Sequence, residues 1–103
     1  RYYAAIHDFD LVLSLRPGNT DAYLNRGLAH FNLFRFGEAE QDYQNALETD
    51  PDSGDALTGR GLARLALMRR EEGCNDLQLA IQKGFEPARE YARKYCRQGN
   101  NTH

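Results

Sequence analysis

The chain has 103 residues, of which 41% are hydrophobic and 27% charged, so it has the length of a single domain and the composition of a globular or solenoid protein. No apolar segment approaches the roughly 20 residues that a transmembrane helix needs. Residues 1–59 hold four basic and ten acidic residues, whereas residues 60–103 hold nine basic and five acidic ones, for a formal net charge of -2. These values exclude a disordered chain, a membrane-spanning protein and a uniformly basic nucleic-acid binder.

Six segments carry apolar residues at intervals of three and four positions, the spacing of one face of an α-helix. The pattern predicts helices near residues 1–15, 20–34, 37–49, 54–68, 71–83 and 87–97. Asp50 and Pro51 end the third of these, because proline cannot continue a helix and restricts the residue before it. No segment alternates with a period of two, so the predicted fold class is all-α.

The sequence matches itself at an offset of 34 residues. Residues 26–29, Arg-Gly-Leu-Ala, reappear unchanged as residues 60–63. Further identical pairs are Asp21 and Asp55, Asp42 and Asp76, and Pro17 and Pro51. One two-helix unit is therefore repeated along the chain.

This unit resembles the tetratricopeptide repeat family, whose 34-residue helix–turn–helix has aromatic, small and proline residues at fixed positions. In residues 20–53 the family positions hold Tyr23, Gly27, Ala39, Tyr43 and Pro51. Two identities depart from the family pattern, Arg26 in place of Leu and His30 in place of Tyr. The resemblance implies an α-α superhelix, a solenoid of antiparallel helical hairpins that bury their apolar faces by stacking.

The resemblance also divides the chain into five parts. Residues 1–19 are expected to be the second helix of a truncated repeat, 20–53 a complete repeat, 54–86 a degenerate repeat, 87–97 a capping helix and 98–103 a flexible tail. The second copy is degenerate because Gly73, Leu77 and Phe85 replace the family's alanine, aromatic and proline. The residues expected to give the capping helix its solvent-facing surface are Arg89, Glu90, Arg93, Lys94 and Arg97.

Nothing in the sequence indicates catalysis or a cofactor. His7, His30 and His103 lie on unrelated elements, without the spacing that pairs metal ligands, and there is no glycine-rich phosphate loop. His30 occupies the position of a packed family tyrosine, so we expect a core imidazole with one hydrogen-bond partner. The chain is predicted not to be an enzyme and to bind no metal or cofactor.

Cys74 and Cys96 are equally distant from residue 85, where the last two helices are expected to turn. Residues at equal distances from the turn of an antiparallel hairpin come alongside each other, so a disulfide could tie the capping helix to the last repeat. Such a bond would contribute about 3 kcal/mol in an oxidising compartment. The alternative is two buried free cysteines that act as small hydrophobic residues.

In the tetratricopeptide repeat family, the first helix of each hairpin lines a concave groove. The groove residues that the resemblance assigns to this chain are Asp21, Leu24, Asn25, Leu28, Phe31, Asn32, Asp55, Thr58, Leu62 and Leu65. An apolar strip with amides beside it could accept the side chains of a peptide while Asn25 and Asn32 bind its backbone. The expected function is a non-catalytic protein-interaction module, a scaffold or adaptor. The alternative is a structural or self-associating segment of a larger repeat protein without a groove ligand.

Specialised members of the family grip a C-terminal carboxylate with lysine and asparagine residues of successive helices. Only Asn25 matches that arrangement here, and Asp55 and Gly59 stand where basic residues would be expected. A carboxylate clamp is therefore disfavoured.

The basic second half of the chain raises the alternative of nucleic-acid binding. Tyr91 or Tyr95 could stack on a base, and the basic residues that could attract phosphate are Arg60, Arg64, Arg69, Arg70, Arg89, Arg93, Lys94 and Arg97. Acidic residues interleave with these basic residues, and two tyrosines four positions apart favour the buried face of the capping helix. Nucleic-acid binding is therefore disfavoured.

The first helix carries an apolar strip and has no hairpin partner in this chain. The strip comprises Tyr2, Ala5, Ile6, Phe9, Val12 and Leu13. An uncovered strip of this size is either an interaction surface or a result of truncation, and we expect two copies of the chain to form a homodimer through residues 1–15. In a longer protein, an upstream helix would occupy the same place.

Overall fold

The computed structural model describes residues 1–96. Six helices make up its secondary structure: α1 (Tyr2–Leu15), α2 (Thr20–Asn32), α3 (Phe36–Thr49), α4 (Gly54–Ala66), α5 (Arg70–Gln82) and α6 (Pro87–Tyr95). Each predicted helix is present, with ends that differ by two residues at most. No strand occurs in the described part, and the all-α class is confirmed. Arg97 and the predicted tail, residues 98–103, lie outside the described residues.

The helices stack in chain order as an α-α superhelix. Helices α2 and α3 form one hairpin, α4 and α5 form the next, and α2 also contacts α4 directly. The stack extends 51 Å along its longest axis and 25 and 17 Å along the others. In residues 1–96, no helix combines the length and the hydropathy of a membrane span.

Helices α2 and α4 end earlier than predicted because Phe34 and Met68 adopt left-handed backbone conformations, with φ of 61° and 66°. The backbone N–H of Arg35 donates to the carbonyl of His30, and that of Arg69 donates to the carbonyl of Arg64, both at 2.8 Å. Each of these hydrogen bonds caps the C-terminal end of its helix, where the chain turns away from the helix axis. The two repeats therefore turn from first to second helix in the same way.

Small residues lie where neighbouring helices approach closest. A Cβ added to Gly61 would lie 2.9 Å from the Gly73 carbonyl oxygen, and one added to Gly73 would lie 2.7 Å from the Gly61 carbonyl oxygen. Helices α4 and α5 therefore touch backbone to backbone. A Cβ on Gly27 would meet the Tyr43 ring at 3.0 Å.

The main core lies between the two hairpins and under α6. Its largest fully buried side chains are Leu57 and Leu77. Helix α6 covers this core with Ala88, which is 0% exposed, and with the half-buried Ala92 and Cys96. The charged residues predicted to face solvent on this helix, Arg89, Glu90, Arg93 and Lys94, are all exposed.

The apolar strip of α1 is less open than the sequence indicated, because α1 packs on α2. Leu13 is buried, and Tyr2 is 45% exposed. The half-buried members of the strip are Ala5, Ile6, Phe9 and Val12. Phe9 and Val12 correspond, at the 34-residue offset, to Tyr43 and Ala46, which are buried in α3. The strip is thus covered on one side only.

Candidate functional site

Helices α2, α4 and α6 together line a groove of about 650 Å³. Tyr43 of α3 lies at the floor of the groove, and Phe85, two residues before α6 in the chain, lies at its border. A second hollow of about 390 Å³ continues the groove and shares Leu62 and Tyr91 with it. The further lining residues of the second hollow are Phe31, Leu65, Ala66 and Tyr95.

The structure brings nine of the ten sequence-predicted groove residues into these two cavities. Those in the larger cavity are Asp21, Leu24, Asn25, Leu28, Asp55, Thr58 and Leu62. Phe31 and Leu65 lie in the smaller one. Asn32 lines neither cavity; it is the last residue of α2 and is exposed. Of the two amides predicted to bind a peptide backbone, only Asn25 is therefore in place.

The prediction that Tyr91 and Tyr95 form the buried face of α6 is wrong. They are 38% and 43% exposed and line the groove. Ala88, Ala92 and Cys96 form the buried face instead, because their small side chains allow α6 to approach the core closely. The sequence contained a signal for this buried face, because Ala88, Ala92 and Cys96 also recur every four positions.

Two unpaired carboxylates lie at the edge of the groove. Asp21 and Asp55 occupy the first turns of α2 and α4 and are exposed. In the part of the chain that the structure describes, neither forms an ion pair. The lining of both cavities includes no lysine, arginine or histidine among residues 1–96. The groove is therefore mainly apolar and negatively charged at one edge.

The floor of the groove is the ring of Tyr43, which is 5% exposed. A Cβ on Gly59 would overlap this ring, so a glycine at that position is required for the ring to lie against α4. Burial, together with the negative charges of Asp42 and Asp55, raises the pKa of Tyr43 to about 12.

Tyr43 is therefore expected to ionise later than the other tyrosines. An unfolded chain ionises this phenol near pH 10 and the folded chain near pH 12, so the associated stability is complete below pH 10 and is lost between pH 10 and 12. The loss is about 2 to 3 kcal/mol. A near-ultraviolet absorbance titration should show one late-ionising tyrosine that is missing from Tyr43→Phe. Ionisation of all tyrosines near their ordinary pKa in the folded protein would contradict this.

Thr58 brings a polar atom without a partner to the groove. Thr58 is 6% exposed, and its Oγ1 has no hydrogen-bond partner among the described residues. A buried hydroxyl that leaves both its donor and its acceptor unused is unfavourable. A bound molecule that reaches Thr58 can satisfy this group.

Beneath the groove, buried ion pairs fix the helices against one another. Asp42 is 2% exposed and accepts hydrogen bonds from the Arg26 Nη2 at 2.7 Å and Nε at 3.1 Å. Arg26 also donates from Nη1 to Asp10 at 2.8 Å, which links α1, α2 and α3. The hydrogen bond to Asp42 raises the pKa of Arg26 above its ordinary value, so the guanidinium stays charged.

The next repeat contains the same arrangement. Asp76 is 4% exposed and accepts from the Arg60 Nη2 at 2.8 Å and Nε at 3.0 Å, and from the Arg64 Nη1 at 3.0 Å. Arg60 also donates to Gln44, the counterpart of Asp10 at the 34-residue offset. Equivalent ion pairs therefore recur at the 34-residue offset. We call the pairs centred on Asp42 and Asp76 the ion-pair ladder.

Ion pairs of the basic residues weaken the nucleic-acid alternative. Five of the eight basic residues predicted to attract phosphate are paired with carboxylates: Arg60, Arg64, Arg69, Arg89 and Arg93. Burial alone would raise the pKa of Glu40, but hydrogen bonds from Arg64 and Arg69 outweigh it and hold that pKa below its usual value. Side chains neutralised in this way are not free to bind phosphates.

His30 is 8% exposed, and its Nδ1 lies 2.9 Å from the Asp42 Oδ2. It is thus the buried imidazole with one hydrogen-bond partner that the sequence predicted. His7 is exposed, and His103 lies outside the described residues. Within residues 1–96, no group of three or more His, Cys, Asp or Glu residues is arranged to hold a metal ion.

Cys74 on α5 and Cys96 after α6 form a disulfide in the structure, with their Cα atoms 5.8 Å apart. The bond joins α6, one wall of the groove, to the last hairpin. Its formation in solution is a prediction that a thiol count tests.

Comparison with known proteins identifies the family. The tetratricopeptide repeat sequence model matches residues 20–53. The first TPR of Spaghetti (RPAP3), bound to the HSP90 peptide SRMEEVD, is 31% identical with a TM-score of 0.85, over 91% of this chain and 76% of that one. The Arabidopsis OM64 TPR domain is 30% identical with a TM-score of 0.80, over 90% of this chain and 81% of that one.

The second TPR of Spaghetti (RPAP3), also bound to SRMEEVD, is 26% identical with a TM-score of 0.77, over 79% of this chain and 75% of that one. No curated protein matches the chain. The fold, the 34-residue repeat and these similarities show that the chain belongs to the tetratricopeptide repeat family, a protein-interaction fold.

Proposed function

We propose that this chain is a non-catalytic module that binds a peptide segment of a partner protein in the groove between α2, α4 and α6. The observation that carries the proposal is the groove itself, an open, mainly apolar channel built by every second helix, α2, α4 and α6. The two TPR domains of Spaghetti (RPAP3) hold an HSP90 peptide, which supports peptide binding as the kind of function.

The groove offers two kinds of contact to an extended peptide. Leu24, Leu28 and Leu62 provide apolar surface for its side chains, and the Asn25 amide can donate to and accept from its backbone. The ion pairs of Arg26 and Arg60 hold α2 and α4 in place before binding, so little ordering entropy is lost in these two helices when the peptide docks.

Asn25→Ala and Leu28→Ala are each expected to weaken peptide binding about tenfold, which corresponds to about 1.4 kcal/mol. Both side chains are exposed in the free groove, so the helix content should not change. The probes are octapeptides selected from a phage-displayed random library on the wild-type chain, with affinities measured by fluorescence anisotropy and folding by circular dichroism.

The matched control is Leu79→Ala, because Leu79 is 38% exposed on α5 and lies outside the groove lining. This variant should bind the selected peptides as the wild type does. Failure to select any peptide, or equal losses in the control and the groove variants, would refute the groove as a peptide site.

Self-association through α1 is a second candidate function, supported by the half-buried positions that match buried ones in α3. We expect light scattering to show a concentration-dependent dimer that Phe9→Ser abolishes. The exposed Leu15 supplies the comparison, since Leu15→Ser lies outside the strip and should leave the dimer intact. A monomer at high concentration would contradict self-association.

A further inference from the structure

We infer that the peptide taken by this groove carries a lysine or arginine, whose cationic head binds the carboxylates of Asp21 and Asp55 while apolar neighbours contact Leu24, Leu28 and Leu62. The inference rests on the proposed function and goes beyond it, because it assigns the charge of the partner.

The first observation is the state of the acidic residues. The buried carboxylates Asp42 and Asp76 and the half-buried Glu40 each have an arginine partner. Asp21 and Asp55 line the groove, and neither has a cationic partner among residues 1–96. An acidic residue in the first turn of a helix also favours the helix dipole, so these positions alone do not define a ligand site.

The second observation is the unpartnered hydroxyl of Thr58, which points to a ligand independently of charge. Thr58 follows Asp55 on α4, lies in the same groove lining and is more than nine-tenths buried, with no hydrogen bond at its Oγ1. A peptide held by Asp21 and Asp55 would bring its backbone polar groups into the same groove. One hydrogen bond to Thr58 would then satisfy the hydroxyl.

The environment at the floor of the groove fits a cation and opposes an anion. Burial raises the pKa of Tyr43 most, and the charges of Asp42 and Asp55 raise it further. Asp42 is paired with Arg26, whereas Asp55 has no cationic partner among residues 1–96 and repels an acidic ligand group above the ring. A peptide such as SRMEEVD would place its own carboxylates against Asp21 and Asp55. The charge preference of this groove is therefore opposite to that of an acidic-peptide site.

The test uses a positional-scanning library of octapeptides, in which one position is fixed and the others are randomised, captured on the immobilised wild-type chain. We expect lysine and arginine to be enriched at least about fivefold at one position, with apolar residues enriched beside it. The Asp21→Asn, Asp55→Asn double variant should lose the basic enrichment and keep the apolar one. Binding of the selected basic peptide should weaken steeply between low and moderate salt.

A double variant with the same change of net charge separates direct contact from the overall field of the protein. Glu48→Gln with Glu71→Gln removes two exposed carboxylates that lie outside the groove lining. It should keep the enrichment and change the affinity for the selected peptide less than about twofold. An equal loss in both double variants would overturn the inference.

Thr58→Val tests the second observation. The variant removes the unpartnered hydroxyl and keeps the shape of the side chain, so it should unfold at the same or a higher urea concentration than the wild type. Its affinity for the selected peptide should fall at least threefold. Unchanged affinity would contradict the assigned role of Thr58.

The remaining outcomes distinguish the two proposals. Apolar enrichment without basic enrichment, or enrichment of glutamate and aspartate, would overturn the charge assignment and leave peptide binding standing. No enrichment at any position would refute the proposed function as well. Amide shifts of α2, α4 and α6 upon addition of the selected peptide would locate the binding in the groove.

Discussion

Asp76→Ala is expected to lower the free energy of unfolding by about 3 to 5 kcal/mol. Asp76 is 4% exposed and accepts three hydrogen bonds from Arg60 and Arg64, whose side chains are largely buried. Removal of the carboxylate leaves two guanidinium groups short of an acceptor between α4 and α5, where water cannot replace it fully. Urea denaturation followed by circular dichroism measures the loss.

Two further variants separate the buried pair from ordinary surface charge. Asp52→Ala removes an acid that is paired with Lys83 at 2.6 Å, but with a side chain that is 74% exposed. Surface pairs contribute about 0 to 1 kcal/mol, so this variant should lose no more than that. The combined Arg60→Met, Asp76→Leu variant should be more stable than Asp76→Ala, because it leaves fewer unpaired charges. If Asp52→Ala and Asp76→Ala lowered the free energy of unfolding equally, the ion-pair ladder would not hold the hairpins together.

The 34-residue period made the fold predictable because the residues that repeat are those that control helix contacts. Gly61 has to be small, since a Cβ there would meet the Gly73 backbone, and its counterpart Gly27 has Tyr43 in the same relation. Helix ends were less predictable. Phe34 and Met68 adopt a left-handed backbone that is usually taken by glycine, so no composition signal marked these turns.

The wall that α6 contributes to the groove was not predictable from periodicity. Tyr91 and Tyr95 are four residues apart, as are Ala88 and Ala92, so either pair satisfies the spacing of a buried face. The choice depends on how closely α6 approaches the core, which is a tertiary property. The small alanines permit the approach and leave the tyrosines in the groove.

The ion pairs between helices could not be predicted from the sequence for a related reason. Arg26 and Asp42, like Arg60 and Asp76, lie 16 residues apart on different helices, so their contact depends on the register of the hairpin. The repetition of both members at the same offset was a usable signal, since two copies of a charged residue at equivalent positions indicate a shared structural role. Because these arginines are paired outside the groove lining, the charge of the groove is set by Asp21 and Asp55, which have no ion-pair partner among residues 1–96.

Loss of the Cys74–Cys96 disulfide is expected to lower the free energy of unfolding by about 3 kcal/mol, the chain-entropy estimate for the loop of 22 residues that it closes. The packing of helix α6 would be weakened most, because α6 contacts the rest of the structure mainly through α5. Its detachment would also remove Tyr91 and Tyr95 from the groove, so peptide affinity should fall together with stability. Urea denaturation with and without reductant, a thiol count and anisotropy with the selected peptide measure the three effects.

The matched control for this prediction is the Cys74→Ala, Cys96→Ala variant, whose stability and peptide affinity should not respond to reductant. The wild-type chain, purified under oxidising conditions, should show no free thiol before reduction and two after reduction and unfolding. Two reactive thiols in the oxidised, folded protein, or a wild type as insensitive to reductant as the control, would mean that α6 is held by packing of Ala88 and Ala92 alone. The groove would then keep its third wall in a reducing compartment as well.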